Sequence, residues 1–333
     1  MEVPLPRLRL GLIGAGDMGT AHAAMADVEI AAVAGRGGAR ARPLADRLGA
    51  RAAADPASIL DDGSIEAVDI TAPTAAHREL VIAALGCGKH VLCETPLAPR
   101  VEDAEAMIGA ARASGRLLAV ALLSRVAEPG LRVREILRAG ILGRPLVVST
   151  ERLWPGLGVA GTPGDHHGDA LEEVALFDLD WLVWCFGMPR AVSTVAPPRA
   201  DGQVDHGLVV LDFDGTKAFV EASRVMPAGW PFEIAGRAVA ERGALSWSVA
   251  FPPGAGASVP PTVRLTRYDA DGGSETATDF GENPYRLECR HFVDSIRGRA
   301  DPSLLDASAA LDGLRVVEAA RRSLREGRTV APS

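Results

Sequence analysis

The feature that most constrains this chain is Gly14-Ala15-Gly16-Asp17-Met18-Gly19, placed directly after the apolar run Leu8-Arg9-Leu10-Gly11-Leu12-Ile13. A short apolar run closed by glycines suits a strand buried on both faces of a parallel sheet. Gly-x-Gly-x-x-Gly becomes informative where it joins such a strand to a helix, and a helix is predicted from Asp17. The three glycines then have separate tasks. Gly14 permits the tight turn, Gly16 lets the backbone approach a pyrophosphate, and Gly19 allows the helix to pack closely, while Ala15, Asp17 and Met18 complete the cradle. The helix N-terminus favours the phosphate charge, so the motif implies a bound dinucleotide.

About 20 residues beyond the first glycine, an Asp or Glu would take the ribose hydroxyls of NAD. Gly35 stands there, followed by Arg36 and, one helical turn on, Arg40. Without the carboxylate a 2′-phosphate is not repelled, and guanidinium groups neutralise it well. The expectation is a preference for NADP(H), with NAD(H) the alternative if the two arginines are merely solvated.

Four more apolar runs, at 29–34, 67–71, 90–93 and 117–121, are separated by alanine-rich helical segments. Strands alternating with helices predict βαβ units and a doubly wound parallel sheet. Beyond residue 125 the rhythm changes. A helix over 127–139, a strand over 144–153, a Gly/Pro-rich loop over 155–168 and a helix over 169–187 lead into strands at 190–196, 204–213, 216–225, 231–238 and 243–249. Asp214-Gly215 marks a hairpin, Pro252 to Pro261 a flexible loop, and two helices over 284–298 and 305–326 close the chain. The predicted architecture is α/β: a dinucleotide-binding domain over 1–125 and, over 126–333, an α+β domain with a mostly antiparallel open sheet that binds substrate and oligomerises.

Composition narrows the partners. The net charge is −8, with no long basic run, which argues against nucleic acid or anionic lipid. No stretch approaches the about 18 apolar residues of a membrane span. Met1 to Arg7 lacks a basic segment followed by an apolar one, so the expected location is the cytoplasm. Cys87, Cys93, Cys185 and Cys289 show no metal-binding spacing, and neither a metal nor a disulfide is expected. The expected ligand is a small molecule.

These residues resemble the Gfo/Idh/MocA family, named for glucose-fructose oxidoreductase, inositol dehydrogenase and rhizopine catabolism. The resemblance rests on Gly14 to Gly19, on Thr71-Ala72-Pro73-Thr74-Ala75-Ala76-His77, on Gly88-Lys89-His90-Val91-Leu92-Cys93-Glu94-Thr95-Pro96-Leu97-Ala98, and on the closing helix from Leu311 to Arg328. It implies a Rossmann fold, an NAD(P)-dependent oxidoreductase, and a dimer or tetramer built through the second domain's sheet. It also implies that Thr71, Ala72 and Pro73 line the cofactor, that Glu94 and Pro96 flank the nicotinamide, and that His77 orders a loop there.

Two departures stand out. The family usually reads Glu-Lys-Pro, with the lysine aiding proton transfer, where this chain reads Glu94-Thr95-Pro96. A second signature, an acid followed four residues later by the catalytic histidine and three later by another acid, reads Glu173, Phe177, Asp180. Alcohol oxidation needs a base, which typically contributes about 10²- to 10⁴-fold, and threonine and phenylalanine cannot supply it. Replacement candidates are His167 and then His166, in the loop entering the helix with Glu173, together with Thr95 and Tyr285. Helical spacing predicts Asp169, Glu173 and Phe177 on one face towards the nicotinamide, with Glu173 a catalytic candidate and Asp169 and Phe177 candidates for substrate contact. Arg125 and Arg152 are candidates for holding an anionic substrate group.

Three readings follow. The first is an NADP(H)-dependent oxidoreductase that reduces an imine or carbonyl of a small, amino-sugar-like or specialised metabolite. The second is a lyase or epimerase that uses the nicotinamide transiently. The third is a catalytically silent NADP(H)-binding protein.

Overall fold

In the computed structural model the described residues are 7–23, 28–36, 38–155, 168–253 and 260–332. They divide into two compact units: residues 1–123 with 283–311, and residues 124–282 with 312–333. The sequence places a single boundary after 125. The chain instead crosses near there and returns to the first unit with the segment that carries helix α9 (Pro284–Ile296).

The first unit is built on six strands: β1 (Leu8–Ile13), β2 (Val28–Ala34), β3 (Arg51–Ala52), β4 (Ala67–Ile70), β5 (His90–Cys93) and β6 (Leu118–Val120). They pair in the order β3-β2-β1-β4-β5-β6, every pair parallel. The helices between them are α1 (Asp17–His22), α2 (Ala41–Leu48), α3 (Ala57–Leu60), α4 (His77–Gly86) and α5 (Val101–Ser114). Leu8, Leu10, Leu12 and Ile13 are all buried, as a strand covered on both faces requires. From β1 the chain winds outward to β3 and then returns to place β4 on the other side of β1. The switch point therefore lies between the carboxyl ends of β1 and β4, where ligands bind in open α/β sheets.

The second unit carries an eight-stranded sheet: β7 (Pro145–Leu153), β8 (Ala191–Val195), β9 (His206–Phe213), β10 (Thr216–Ser223), β11 (Phe232–Ala240), β12 (Gly243–Phe251), β13 (Thr262–Asp269) and β14 (Ser274–Ala277). The order is β14-β13-β12-β11-β7-β10-β9-β8, and β7–β10 is the one parallel pair. Asp214-Gly215 forms the expected hairpin, with Gly215 in the left-handed region. The last two strands were not expected from the sequence. Their connection holds Asp271-Gly272, a turn signal of the same kind, with Gly272 also left-handed. Most of the loop expected at 252–261 lies outside the described residues.

One face of this sheet is the core: Val148, Val209, Leu211, Ala218, Val220 and Ala238 pack with Leu171, Val174, Leu179, Leu182, Val316 and Ala320. The packing residues come from the segment after Gly168 and from helix α10 (Ala307–Glu326), while α6 (Leu123–Val126) and α7 (Glu128–Arg138) precede β7. The helix expected over 169–187 is two pieces, a π-helical turn at Ala170–Ala175 and α8 (Leu176–Phe186). The Glu173 N–H still donates to the Asp169 carbonyl at 2.9 Å, so the first turn keeps an i, i+4 contact.

Candidate active site

The glycine turn after β1 has the geometry a dinucleotide requires. Gly14 has φ of +125°, and a Cβ there would lie 2.5 Å from the carbonyl carbon of Thr71. The turn is pinned at both ends, because the Gly14 N–H donates to Ala34 and Thr71 Oγ1 donates to the Gly14 carbonyl at 3.0 Å. A Cβ on Gly19 would fall 2.1 Å from the Gly14 carbonyl oxygen, so only glycine lets α1 start this close to the turn. Gly16 is the opposite case. A Cβ there would meet nothing within 4 Å, which leaves open space for a pyrophosphate at the backbone. These residues fit the cofactor.

Ala15 and Gly16 are half-buried, and Asp17 and Met18 are exposed at the start of α1. A Cβ on Gly35 would touch the Cβ atoms of Ala15 and Ala41 at 3.4 Å, which puts the end of β2 beside the glycine turn. Arg36 and Arg40 are both exposed in the segment leading from β2 into α2.

Thr71, Ala72 and Pro73 continue from β4, and His77 ties them to the next loop. Its Nε2 lies 2.8 Å from the Ala72 carbonyl, and its Nδ1 lies 3.0 Å from that of Pro96 and 3.3 Å from that of Leu97. Burial holds the His77 pKa below the ordinary value despite these carbonyls, so this ring organises two loops and does not carry charge. Glu94 follows β5, and its Oε2 accepts from the Thr95 N–H at 2.8 Å and from Thr95 Oγ1 at 3.4 Å. Glu94 and Pro96 are buried and Thr95 is half-buried.

Behind Glu94 stands a cluster that sequence reasoning missed. His22 is fully buried, with Nδ1 2.9 Å from Asp69 Oδ2 and Nε2 2.9 Å from Glu94 Oε1. The Tyr285 ring packs on His22 at 5.5 Å between centroids, and Glu288, one turn along α9, is also fully buried. His22 reads from sequence as an ordinary helix residue. The available signal was Asp69, a charge inside the otherwise apolar strand Ala67-Val68-Asp69-Ile70.

In the second unit several candidates have other occupations. Arg125 is paired within the protein. It lies in α6, 1% exposed, with Nε 2.8 Å and Nη2 2.7 Å from the two oxygens of Asp180. That fork geometry uses the guanidinium face a ligand would need. Arg152 is likewise committed, donating to Asp178 at 2.7 Å and to Ser124 Oγ at 3.2 Å, with its cationic carbon 5.0 Å from the Phe177 ring centroid.

Asp169 acts as a helix cap. Fully buried, it accepts from the N–H groups of Leu171, Glu172 and Val204 and pairs with Arg321 at 2.9 Å. Glu173 turns back on the chain to accept from the Gly168 N–H at 2.9 Å. His166 and His167 lie outside the described residues.

Comparison with known proteins agrees with this architecture. Residues 8–122 match the model described as the oxidoreductase family with an NAD-binding Rossmann fold, and residues 131–245 match the GFO/IDH/MocA C-terminal domain. The chain belongs to the Gfo/Idh/MocA family. It is 27% identical over 301 residues to inositol 2-dehydrogenase 2 of Saccharopolyspora erythraea, covering 86% of this chain and 84% of that one. It is 29% identical over 327 residues to the inositol 2-dehydrogenase of Streptomyces avermitilis, covering 91% and 89%. Among solved structures, UDP-N-acetylglucosamine 3-dehydrogenase GnnA from Acidithiobacillus ferrooxidans superposes with a TM-score of 0.79 at 25% identity, covering 96% and 98%. The chain is thus a nicotinamide-dependent oxidoreductase by family. Among the described residues no helix is long and apolar enough to cross a membrane.

Proposed function

We propose that this protein is a cytoplasmic NADP(H)-dependent reductase acting on the imine or carbonyl carbon of a small polyhydroxylated or amino-sugar-like metabolite. The observation that carries the reading is the pair of replacements Thr95 and Phe177, where the family usually places its proton-transferring lysine and histidine. The relatives named above are inositol dehydrogenases, and a polyol substrate class comes from them. Polyol oxidation, however, demands a base for the hydroxyl proton. An iminium carbon does not, because its nitrogen already carries the proton. The bound nicotinamide supplies the hydride.

The chain's own residues then orient and exclude water. Gly14, Gly16 and Gly19 admit the pyrophosphate, Thr71, Ala72 and Pro73 line the cofactor, and Glu94 and Pro96 flank its nicotinamide. Gly35 leaves room for a 2′-phosphate, which Arg36 and Arg40 neutralise. Thr95 and Tyr285 are the hydroxyl groups offered to the substrate.

A homodimer or homotetramer through the second unit's sheet belongs to the same reading. The face opposite the core exposes Val147, Val195, Leu208, Phe219 and Val239. Val195 is in register with Leu208, and Val147 with Val239, so the apolar residues stand side by side. Patches of this kind on a soluble protein mark association surfaces.

The test combines binding with turnover. NADPH should bind at least about tenfold more tightly than NADH, and Gly35→Asp should reverse that order by restoring the repelling carboxylate. The unmodified protein should turn over cyclic imines and fail to oxidise inositols, with alcohol oxidation appearing in Thr95→Lys/Phe177→His. Inositol oxidation by the unmodified protein at rates matching its relatives would overturn the reading.

A further inference from the structure

Apart from Glu94, the proposed reading leaves unused a buried charged cluster in the first unit. Three carboxyl groups and one imidazole meet there: His22 from α1, Asp69 from β4, Glu94 after β5 and Glu288 from α9. All four are buried. His22 sits between two carboxylates at 2.9 Å each, yet among the described residues Asp69 Oδ1 and both oxygens of Glu288 have no hydrogen-bond partner. An ionised carboxylate with no partner is one of the costliest groups to bury, so Glu288 is held protonated. Burial pushes its pKa well up, and the charges of Glu94 and Asp69 add to this against the opposing charge of His22. For His22, burial opposes the charged form, but Asp69 and Glu94 outweigh it and hold the imidazole well above its ordinary value.

Cys93 and His77, titratable neighbours of Glu94, do not compete for the proton. Burial, Glu94 and Asp69 keep the Cys93 thiol neutral, and burial keeps His77 neutral. Tyr285 packs its ring on His22. The cluster therefore sets one imidazole among three carboxyl groups, and loss of the Glu288 proton adds one negative charge to it.

We propose that His22, Asp69, Glu94 and Glu288 form a proton store whose loading is coupled to the redox form of the bound cofactor. The proposal rests on the reading that Glu94 flanks the nicotinamide. An oxidised nicotinamide ring carries one positive charge more than a reduced one. The unloaded cluster thus favours the oxidised form and the loaded cluster the reduced form, and the linkage is reciprocal. Thr95 Oγ1, 3.4 Å from Glu94 Oε2, is the polar group through which the store faces the site. In a chain without the family's lysine, this cluster would keep a proton close to the reacting centre without placing a free base there.

The experiment measures dissociation constants for NADPH and NADP+ between pH 6 and pH 9, in the full-length protein and in Glu288→Gln. The NADPH-to-NADP+ ratio of dissociation constants should rise about tenfold with pH in the unmodified protein, as expected for one charge near the ring. It should be flat in Glu288→Gln, which mimics the protonated acid and is nearly isosteric. A flat ratio in the unmodified protein, or an undiminished slope in Glu288→Gln, overturns the proposal. The 15N shifts of the His22 ring in cofactor-free protein give a second readout. They should report an imidazolium at pH 7.5, and a neutral ring there also overturns it. If no nicotinamide nucleotide binds at all, the cofactor reading itself has failed, whatever the ring shifts show.

Discussion

The two units of this molecule bury charge in opposite ways. In the second unit, Arg125 and Asp180 close a two-pronged pair, and Arg152 pairs with Asp178, is held by Ser124 and covers the Phe177 ring. In the first, carboxyl groups outnumber the imidazole, and three carboxyl oxygens have no partner among the described residues. A closed pair has its charges matched within the protein and serves as scaffold. An open cluster retains a destabilising excess of charge, as sites of chemistry commonly do. The lesson applies directly to the arginines: residue type suggested substrate binding, and both guanidinium groups are paired with buried carboxylates within the protein.

The largest effect should come from opening a closed pair. Arg125→Met leaves Asp180 buried and uncompensated, and urea unfolding should show a loss of about 3–5 kcal/mol. Arg125→Met/Asp180→Leu should recover most of that loss, since both charges go together. If the single variant loses under 1 kcal/mol, the pair is not the closed scaffold described here, and Arg125 returns as a candidate ligand group.

A smaller effect should follow from neutralising the open cluster. Both Glu288 and His22 have folded-state pKa values above their unfolded ones. The stability each contributes is full below its unfolded pKa, about 4.5 for Glu288 and about 6.5 for His22, and is lost as pH rises through the folded value. Each group removes at most about 1.4 kcal/mol per pH unit in its window. The melting temperature should therefore fall from pH 5 to pH 9, and Glu288→Gln should flatten the fall and melt higher at pH 9. A variant that melts lower throughout would mean that Glu288 makes a bond its oxygens do not show.

Much of this organisation was legible in the sequence because it is local. The glycine turn, the alternating βα rhythm and the Asp214-Gly215 hairpin each follow from a few adjacent residues. What was not legible depends on approach between distant residues. Asp69 and Glu94 are 25 positions apart, Glu288 lies far beyond both, and only the fold brings them around His22. The helix expected over 169–187 is a π turn followed by α8, a local change of winding that the apolar pattern does not signal. β13 and β14 were passed over because Arg264, Arg267 and Glu275 obscure the apolar alternation, although Asp271-Gly272 gave the turn.

The smallest expected effect tests whether a closed pair can still shape chemistry put beside it. Phe177 is the position where the family usually carries its histidine, and the guanidinium of Arg152 lies over its ring. In Phe177→His the new imidazole would sit against a fixed cation, which disfavours its protonation. Asp178, 2.7 Å from Arg152, cancels most of that field, so the depression should be modest. The ring should titrate somewhat below about 6.5 by NMR, and higher once Arg152→Met removes the cation. Titration above 6.5 with Arg152 in place would mean that the Asp178 carboxylate dominates at this position. In that case a histidine here would be held as an acid instead of a base, and restoring alcohol oxidation would need the lysine at position 95 far more than the histidine at 177.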